Sequence, residues 1–169
     1  FHETIPGHLL VGYLGQRYGD YRPDLRGGGP FYGEGWPLYW ELTLYDMGFN
    51  KTPEQRIGAL FWRMHRSARI VLSFKFHMGL WSPQECIDYL VDRVGHERDN
   101  ATAEVRRYCD APTQPFSYAW GCREIENLYA DEERRLGPAF DERAFHDKLL
   151  ACGAIPFRYV RRLFGDTAK

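Results

Sequence analysis

The chain has 169 residues, 44 % apolar and 27 % charged, with a formal net charge of −1 at pH 7. This balance suits a globular region with a sizeable core. It lacks the basic excess that marks nucleic-acid or anionic-membrane binding, and no apolar run approaches the roughly 18 residues needed for a transmembrane segment.

Residues 8–18, HLLVGYLGQRY, read as a helix continuing from the opening motif. The next stretch, GDYRPDLRGGGPFYG, holds five Gly and two Pro and reads as a loop. A second helix is expected over 34–48, with Pro37 tolerable only in its first turn. Thr52 and Pro53 then mark a strong helix start. From there Ile57, Leu60, Phe61, Met64, Ala68, Val71 and Leu72 recur at three- and four-residue steps and predict one apolar, core-facing stripe. Ser82, Pro83 and Glu85 form a capping-box start that Gly95 ends. A short helix is expected over 100–109, and the two prolines of DAPTQPFS break it. A charged helix runs from Ser117 until Gly137. Asp141 caps another, stopped by Gly153, and IPFRYVRRLFG is the last. No segment alternates with period two, so the fold class is all-α in a single region, residues 1–169.

Aromatic residues make up 16 % of the chain, which calls for a large packed core or a lined cleft. Cys86, Cys109, Cys122 and Cys152 show no C-x-x-C spacing and read as reduced core thiols.

The opening FHETIPGH places His2, Glu3 and His8 together. Zinc hydrolases that carry two histidines and a base on one helix write H-E-x-x-H, with the second histidine four residues on. Here it is six residues on. On an uninterrupted helix the two rings would point to different faces, about 240° apart. If Pro6 and Gly7 instead form a bulge, Pro6 lacking an N–H and Gly7 accepting unusual dihedrals, His8 returns to the place of an i+4 histidine. Glu34 and Glu41 follow, seven residues apart and within about 20° on one helical face. They sit among Phe31, Tyr32, Trp36, Tyr39 and Trp40. Carboxylates in such company need a partner, because burying one unpaired costs several kcal/mol. Two histidines and a Glu form a zinc set that leaves the fourth tetrahedral position for water. A solvated Glu pair on an amphipathic helix is the plainer alternative.

HETIPGH followed by YGEGWPLYWE resembles the bacterial family catalogued as domain of unknown function 885, whose members carry HExxPGHH and then EGWxxYxE. The resemblance continues through ARIVLSFKFHMGLWSPQECIDYL, EVRRYCDAPTQPFSYAWGCREI and FDERAFHDKLLACGAIPFRYV. It covers essentially the whole chain, with the motifs in order. It implies the catalytic region of a zincin-like helical metallopeptidase, similar in plan to the M3 and M32 peptidases. It also implies that this chain is the C-terminal part of a longer protein, whose missing N-terminal region forms the other wall of a cleft. The chain departs from the pattern at Leu9, where the family has a second His, and at Val11, where it has Gln. Ser73 and Lys75 replace a common Asp and Gly.

On this basis His2, His8 and Glu34 are expected to hold Zn2+, with Glu3 as general base and Glu41 hydrogen-bonded behind a ligand histidine. Tyr118, at the family's Tyr position, is expected to donate to the oxyanion, although a buried structural Tyr is the alternative. His77 matches the family's later histidine and supports the oxyanion or a substrate carbonyl, unless it only favours a helix C-terminus. Arg69 and Arg107 are candidates to pair a substrate carboxylate, with structural salt bridges as the alternative. The expected activity is zinc-dependent hydrolysis of short peptides or an amide-containing small molecule. A metal-binding pseudoenzyme, a hydrolase of a non-peptide small molecule and a non-catalytic helical interaction module are the alternatives.

Overall fold

The structure, a computed structural model, describes residues 1–18, 29–153 and 155–165. Among these residues every regular element is helical. The α-helices are α1 (His8–Tyr18), α2 (Pro30–Asp46), α3 (Pro53–His77), α4 (Pro83–Tyr89), α5 (Arg98–Asp110), α6 (Gln114–Leu136), α7 (Glu142–Cys152) and α8 (Phe157–Phe164). Most of the Gly-rich loop expected after α1, residues 19–28, lies outside the described residues. No described helix is long and apolar enough to cross a membrane.

Local sequence sets most helix ends. Thr52 and Ser82 both close capping boxes, with Gln55 and Glu85 respectively, ahead of a proline in the first turn. Asp141 accepts the Ala144 N–H at 2.7 Å and starts α7. Gly95, Gly153 and Gly165 each have positive φ just past a helix, as a C-terminal glycine does. The last turn before Gly95, Leu90–Val94, is π-helical. Two expected boundaries shift. Helix α6 begins at Gln114, three residues before the expected start, with Pro115 in its first turn. Helix α2 begins at Pro30, so Pro37 lies inside it rather than in its first turn.

By contacts the chain divides into two compact units, one formed by Phe1–Glu41 with Trp120–Lys169 and the other by Leu42–Ala119. In the first, α1 packs on α7 and α7 on α8. Aromatic side chains hold one face of α2 in this core. Tyr32 lies 6.5 Å from Trp36 in a stacked pair and 6.2 Å from Phe157, and its hydroxyl donates to the Leu149 carbonyl at 3.3 Å. Burial drives the Tyr32 phenol well above its ordinary range. Tyr39 bonds His146 Nε2 at 3.0 Å, and the imidazole is surrounded by Trp36, Trp40, Tyr129 and Phe145. A Cβ at Gly35 would stand 2.4 Å from the Gly121 carbonyl carbon, so α2 and α6 meet there through two glycines.

The second unit packs Ala68 and Leu72 of α3 against Cys86, Ile87, Leu90, Val94, Ala101, Val105 and Tyr108. The apolar stripe expected along α3 is only in part its buried face: Ala68 and Leu72 are core residues and Phe61 packs against them. Ile57, Leu60, Met64 and Val71 are exposed, and α3 buries His65, Ala68, Arg69, Leu72 and Ser73. The reason lies on α5 and just before it. Glu104 takes Arg69 in a two-pronged pair at 2.6 and 3.0 Å, and His96 Nε2 meets His65 Nδ1 at 2.8 Å. These partners turn a polar strip inward, which periodicity alone cannot foresee. The thiols are free, but only Cys86 and Cys122 are buried; Cys109 is exposed and Cys152 half-buried, so the expectation of four core thiols is corrected. Cys109 follows the fully buried Tyr108 on α5, and one step round a helix turns it outward.

Burial, then the neighbouring Arg69 charge, pushes His65 down to about 3, against partial opposition from Glu104; His96 and Arg66 push the same way. The unfolded chain takes up this proton near pH 6.5 and the native chain only near about 3. The contribution to stability is therefore complete above pH 6.5, falls as pH drops through that window and levels off below it. Urea midpoints at pH 7.5 and 5.5 are expected to show a loss of about 1 kcal/mol that His65→Gln removes. An unchanged pH dependence in that variant would refute the assignment.

Candidate metal centre

The residues before α1 decide between the two readings of the H-E-x4-H spacing. Gly7 N–H donates to Phe1 O at 3.1 Å, His8 N–H to His2 O at 2.8 Å and Leu9 N–H to Glu3 O at 3.2 Å. Each bond runs from residue i to i−6, where an α-helix uses i−4. Two extra residues are looped out, and His8 takes the place of a residue four after His2. From Val11, whose N–H returns to Gly7 O at 3.2 Å, the ordinary step resumes. The two histidines are not on one continuous helix, since α1 begins at His8 and His2 precedes it.

Glycine is required at position 7 for a different reason from the one expected. Its φ is not among the positive values. A Cβ there would lie 1.7 Å from the His2 carbonyl oxygen and 2.5 Å from that of Phe1. The His2 backbone closes over Gly7 so tightly that no side chain fits. Trp36 supports the loop from α2, its indole N–H donating to the Pro6 carbonyl at 2.6 Å. The sequence offers Trp36 only as aromatic company for the carboxylates, and its place between Glu34 and Glu41 is the available signal for this role.

Two faces of α2 then divide the work. Tyr32, Trp36 and Tyr39 face the core, while Glu34 and Glu41 point the other way, about half a turn round. Glu34 Oε2 lies 3.4 Å from His2 Nε2 and 3.3 Å from His8 Nε2. Glu41 Oε1 lies 2.7 Å from His2 Nδ1. The two imidazoles stand edge to face, centroids 4.8 Å apart. His2 and Glu34 are largely shielded, whereas Glu3 is exposed.

The donor set fits a tetrahedral cation. Ligands bound at 2.0 to 2.1 Å stand about 3.3 Å from one another, from the geometry of a tetrahedron. Both His–Glu34 separations match that edge. The protonation pattern points the same way. When His2 Nδ1–H donates to Glu41, neutral His2 presents a lone pair at Nε2, facing the Glu34 oxygen. Two lone pairs at 3.4 Å need a positive charge between or upon them, either a proton or a metal cation. A carboxylate behind a ligand histidine is the usual support for a metal-bound ring. Ligand atoms of His2, Glu3 and His8 also fall within 4.8 Å of one another. At 3.4 and 3.3 Å from the two ring nitrogens Glu34 is well placed as the third ligand, and Glu3 borders the same group.

The remaining expected site residues belong to the second unit. Tyr118 is buried, accepts from Gln114 Nε2 at 3.0 Å, and has the Arg66 and Arg69 guanidinium groups 4.5 and 4.8 Å from its ring centroid. Arg69 is buried and held by Glu104, as in the structural alternative. Arg107 is half-exposed and donates to Gln114 Oε1 at 2.8 Å. His77 is exposed at the end of α3, its ring edge-on to Phe76.

An all-helical chain whose HE…PGH loop meets an EGW helix through paired carboxylates defines a class of protein. The chain belongs to the family described as bacterial protein of unknown function (DUF885), whose pattern matches residues 1–163. It is similar to the crystal structure of a candidate lipoprotein from Colwellia psychrerythraea, with a TM-score of 0.86 and 30 % identity over 95 % of this chain and 28 % of that one. A candidate lipoprotein of unknown function from Shewanella oneidensis is also similar, with a TM-score of 0.85 and 29 % identity over 98 % of this chain and 30 % of that one. The chain thus spans less than a third of either protein. No curated protein matches it.

Gly7→Ala is expected to force the His2 carbonyl away and break the His8-to-His2 bond. The denaturation midpoint should fall by the equivalent of about 1–3 kcal/mol, as for other strained backbone sites. Full stability in this variant would show that the loop does not close as described.

Proposed function

We propose that the chain is the catalytic region of a zinc-dependent hydrolase, a metallopeptidase that cleaves peptide or amide bonds. The observation that carries this reading is the His2 imidazole clamped between two carboxylates, with His8 aimed at the same Glu34 oxygen. His2, His8 and Glu34 would hold the ion. Zinc, when bound, supplies a polarised carbonyl and a water that ionises near neutral pH.

The protein's own groups do the rest. Glu41 fixes the His2 tautomer through Nδ1, so that Nε2 stays turned to the ion. Glu34 keeps its position because the opposite face of α2 is locked by the Tyr32, Trp36 and Tyr39 packing. Glu3 is next to a ligand, and its exposed carboxylate is free to take a proton from the attacking water and pass it to the leaving amine. Because the chain covers so small a share of its relatives, this activity is proposed for the full-length protein.

Purified full-length protein is expected to hold one zinc per chain, lost in His8→Ala and Glu34→Ala. Glu41→Gln should weaken zinc binding about 10–100-fold. Glu3→Gln should retain the metal and lose about 2 to 4 orders of magnitude in kcat on a peptide library. Zinc retained with no turnover by the wild type would leave a metal-holding, non-catalytic protein. Near-wild-type turnover by Glu3→Gln would refute Glu3 as the base.

A further inference from the structure

The loop that returns His8 to register also orders the side chains beyond it. Leu9 N–H bonds Glu3 O just as His8 N–H bonds His2 O. Two parallel rows follow, each one helical turn per step: His2, His8, Gly12 and, about 100° round, Glu3, Leu9, Tyr13. The ligand row ends at Gly12, where a Cβ would meet nothing within 4 Å. An open strip therefore runs from the candidate metal centre along α1. Its neighbouring wall is apolar and solvent-facing, with Leu9 58 % and Tyr13 59 % exposed. From His8 to Gln16 the helix has no Asp, Glu, Lys or Arg, the first charge being Arg17.

We infer that this strip is the specificity groove of the same site: an apolar side chain of the substrate, beside the bond to be cleaved, lies over Gly12 against Leu9 and Tyr13. The inference rests on the metal-hydrolase reading and adds the substrate class. The apolar wall is the direct continuation of the Glu3 row, so it is the surface of α1 that adjoins the place where a substrate carbonyl would meet Glu3 and the His2–His8 pair. An aliphatic or aromatic side chain there leaves water against Leu9 and Tyr13. An acidic one would lose solvation on that wall, meet the Glu3 carboxylate at its head and find no cation before Arg17.

The test uses the full-length, zinc-loaded protein and two probes, leucine hydroxamate and glycine hydroxamate, which share a metal-binding head and differ in the side chain. Calorimetry should find the leucine probe at least about 10-fold tighter, as several buried methylenes allow. Leu9→Ser should bring the two probes to within about 3-fold of each other, and Leu9→Met should restore the preference. Gly12→Leu, which raises helix propensity and so should fold, should weaken the leucine probe and leave the glycine probe unchanged. Zinc content is measured on every sample and should stay at one per chain. Equal affinity for the two probes, a preference that survives both Leu9→Ser and Gly12→Leu, or no binding of either probe to zinc-loaded protein overturns the groove. A wild-type protein that takes up no zinc overturns the metal reading, and the groove falls with it.

Discussion

The His8 N–H to His2 carbonyl bond, at 2.8 Å across six residues, is the interaction on which the site depends. It lets a segment with two surplus residues enter α1 with the register of a continuous helix. Without it, His2 and His8 would point about a third of a turn apart and Glu34 would face one imidazole at best. The bond exists only because position 7 has no side chain, the His2 backbone occupying the space a Cβ would need. One missing methyl group thus connects sequence to chemistry: Gly7 permits the loop, the loop aligns the imidazoles, and the aligned imidazoles meet Glu34.

Helix α2 acts as the rule against which that alignment is measured. Its aromatic face is fixed in the core of its unit, Trp36 reaches forward to the Pro6 carbonyl, and the carboxylates lie on the opposite face. The arrangement concentrates negative charge around His2, with Glu34 at Nε2 and Glu41 at Nδ1. Charges gathered so closely and partly shielded from water oppose one another unless a cation joins them. A proton on His2 or a metal ion meets that demand, and the ligand-edge spacing of Glu34 from both imidazoles supports the ion.

Features that depend on neighbours in sequence were legible from the sequence. The Thr52, Ser82 and Asp141 caps and the Gly95, Gly153 and Gly165 stops follow from side-chain and backbone chemistry within a few residues. The gathering of His2, His8, Glu34 and Glu41 was legible through the family resemblance; spacing alone left two registers open, and the aromatic company of Glu34 asked only for some partner. What distance in sequence concealed was less so. The buried face of α3 carries His65 and Arg69 beside Ala68 and Leu72 because Glu104 and His96, more than thirty residues away from their partners, satisfy the two polar groups. Spacing along α3 correctly favoured Ala68 and Leu72, but it equally favoured Ile57, Leu60, Met64 and Val71, which are exposed. Gly7 was suspected for its dihedral freedom, and the real reason, contact with a backbone five residues earlier, is a fact of three dimensions.

The most direct test of the account is a crystal structure of the zinc-soaked full-length protein with diffraction recorded on both sides of the zinc absorption edge. The account predicts one anomalous peak bonded by His2 Nε2, His8 Nε2 and a Glu34 oxygen at about 2.0 to 2.2 Å, with Glu41 still on His2 Nδ1. A peak elsewhere in the protein, or His2 and His8 nitrogens too far apart to share one ion, would contradict it.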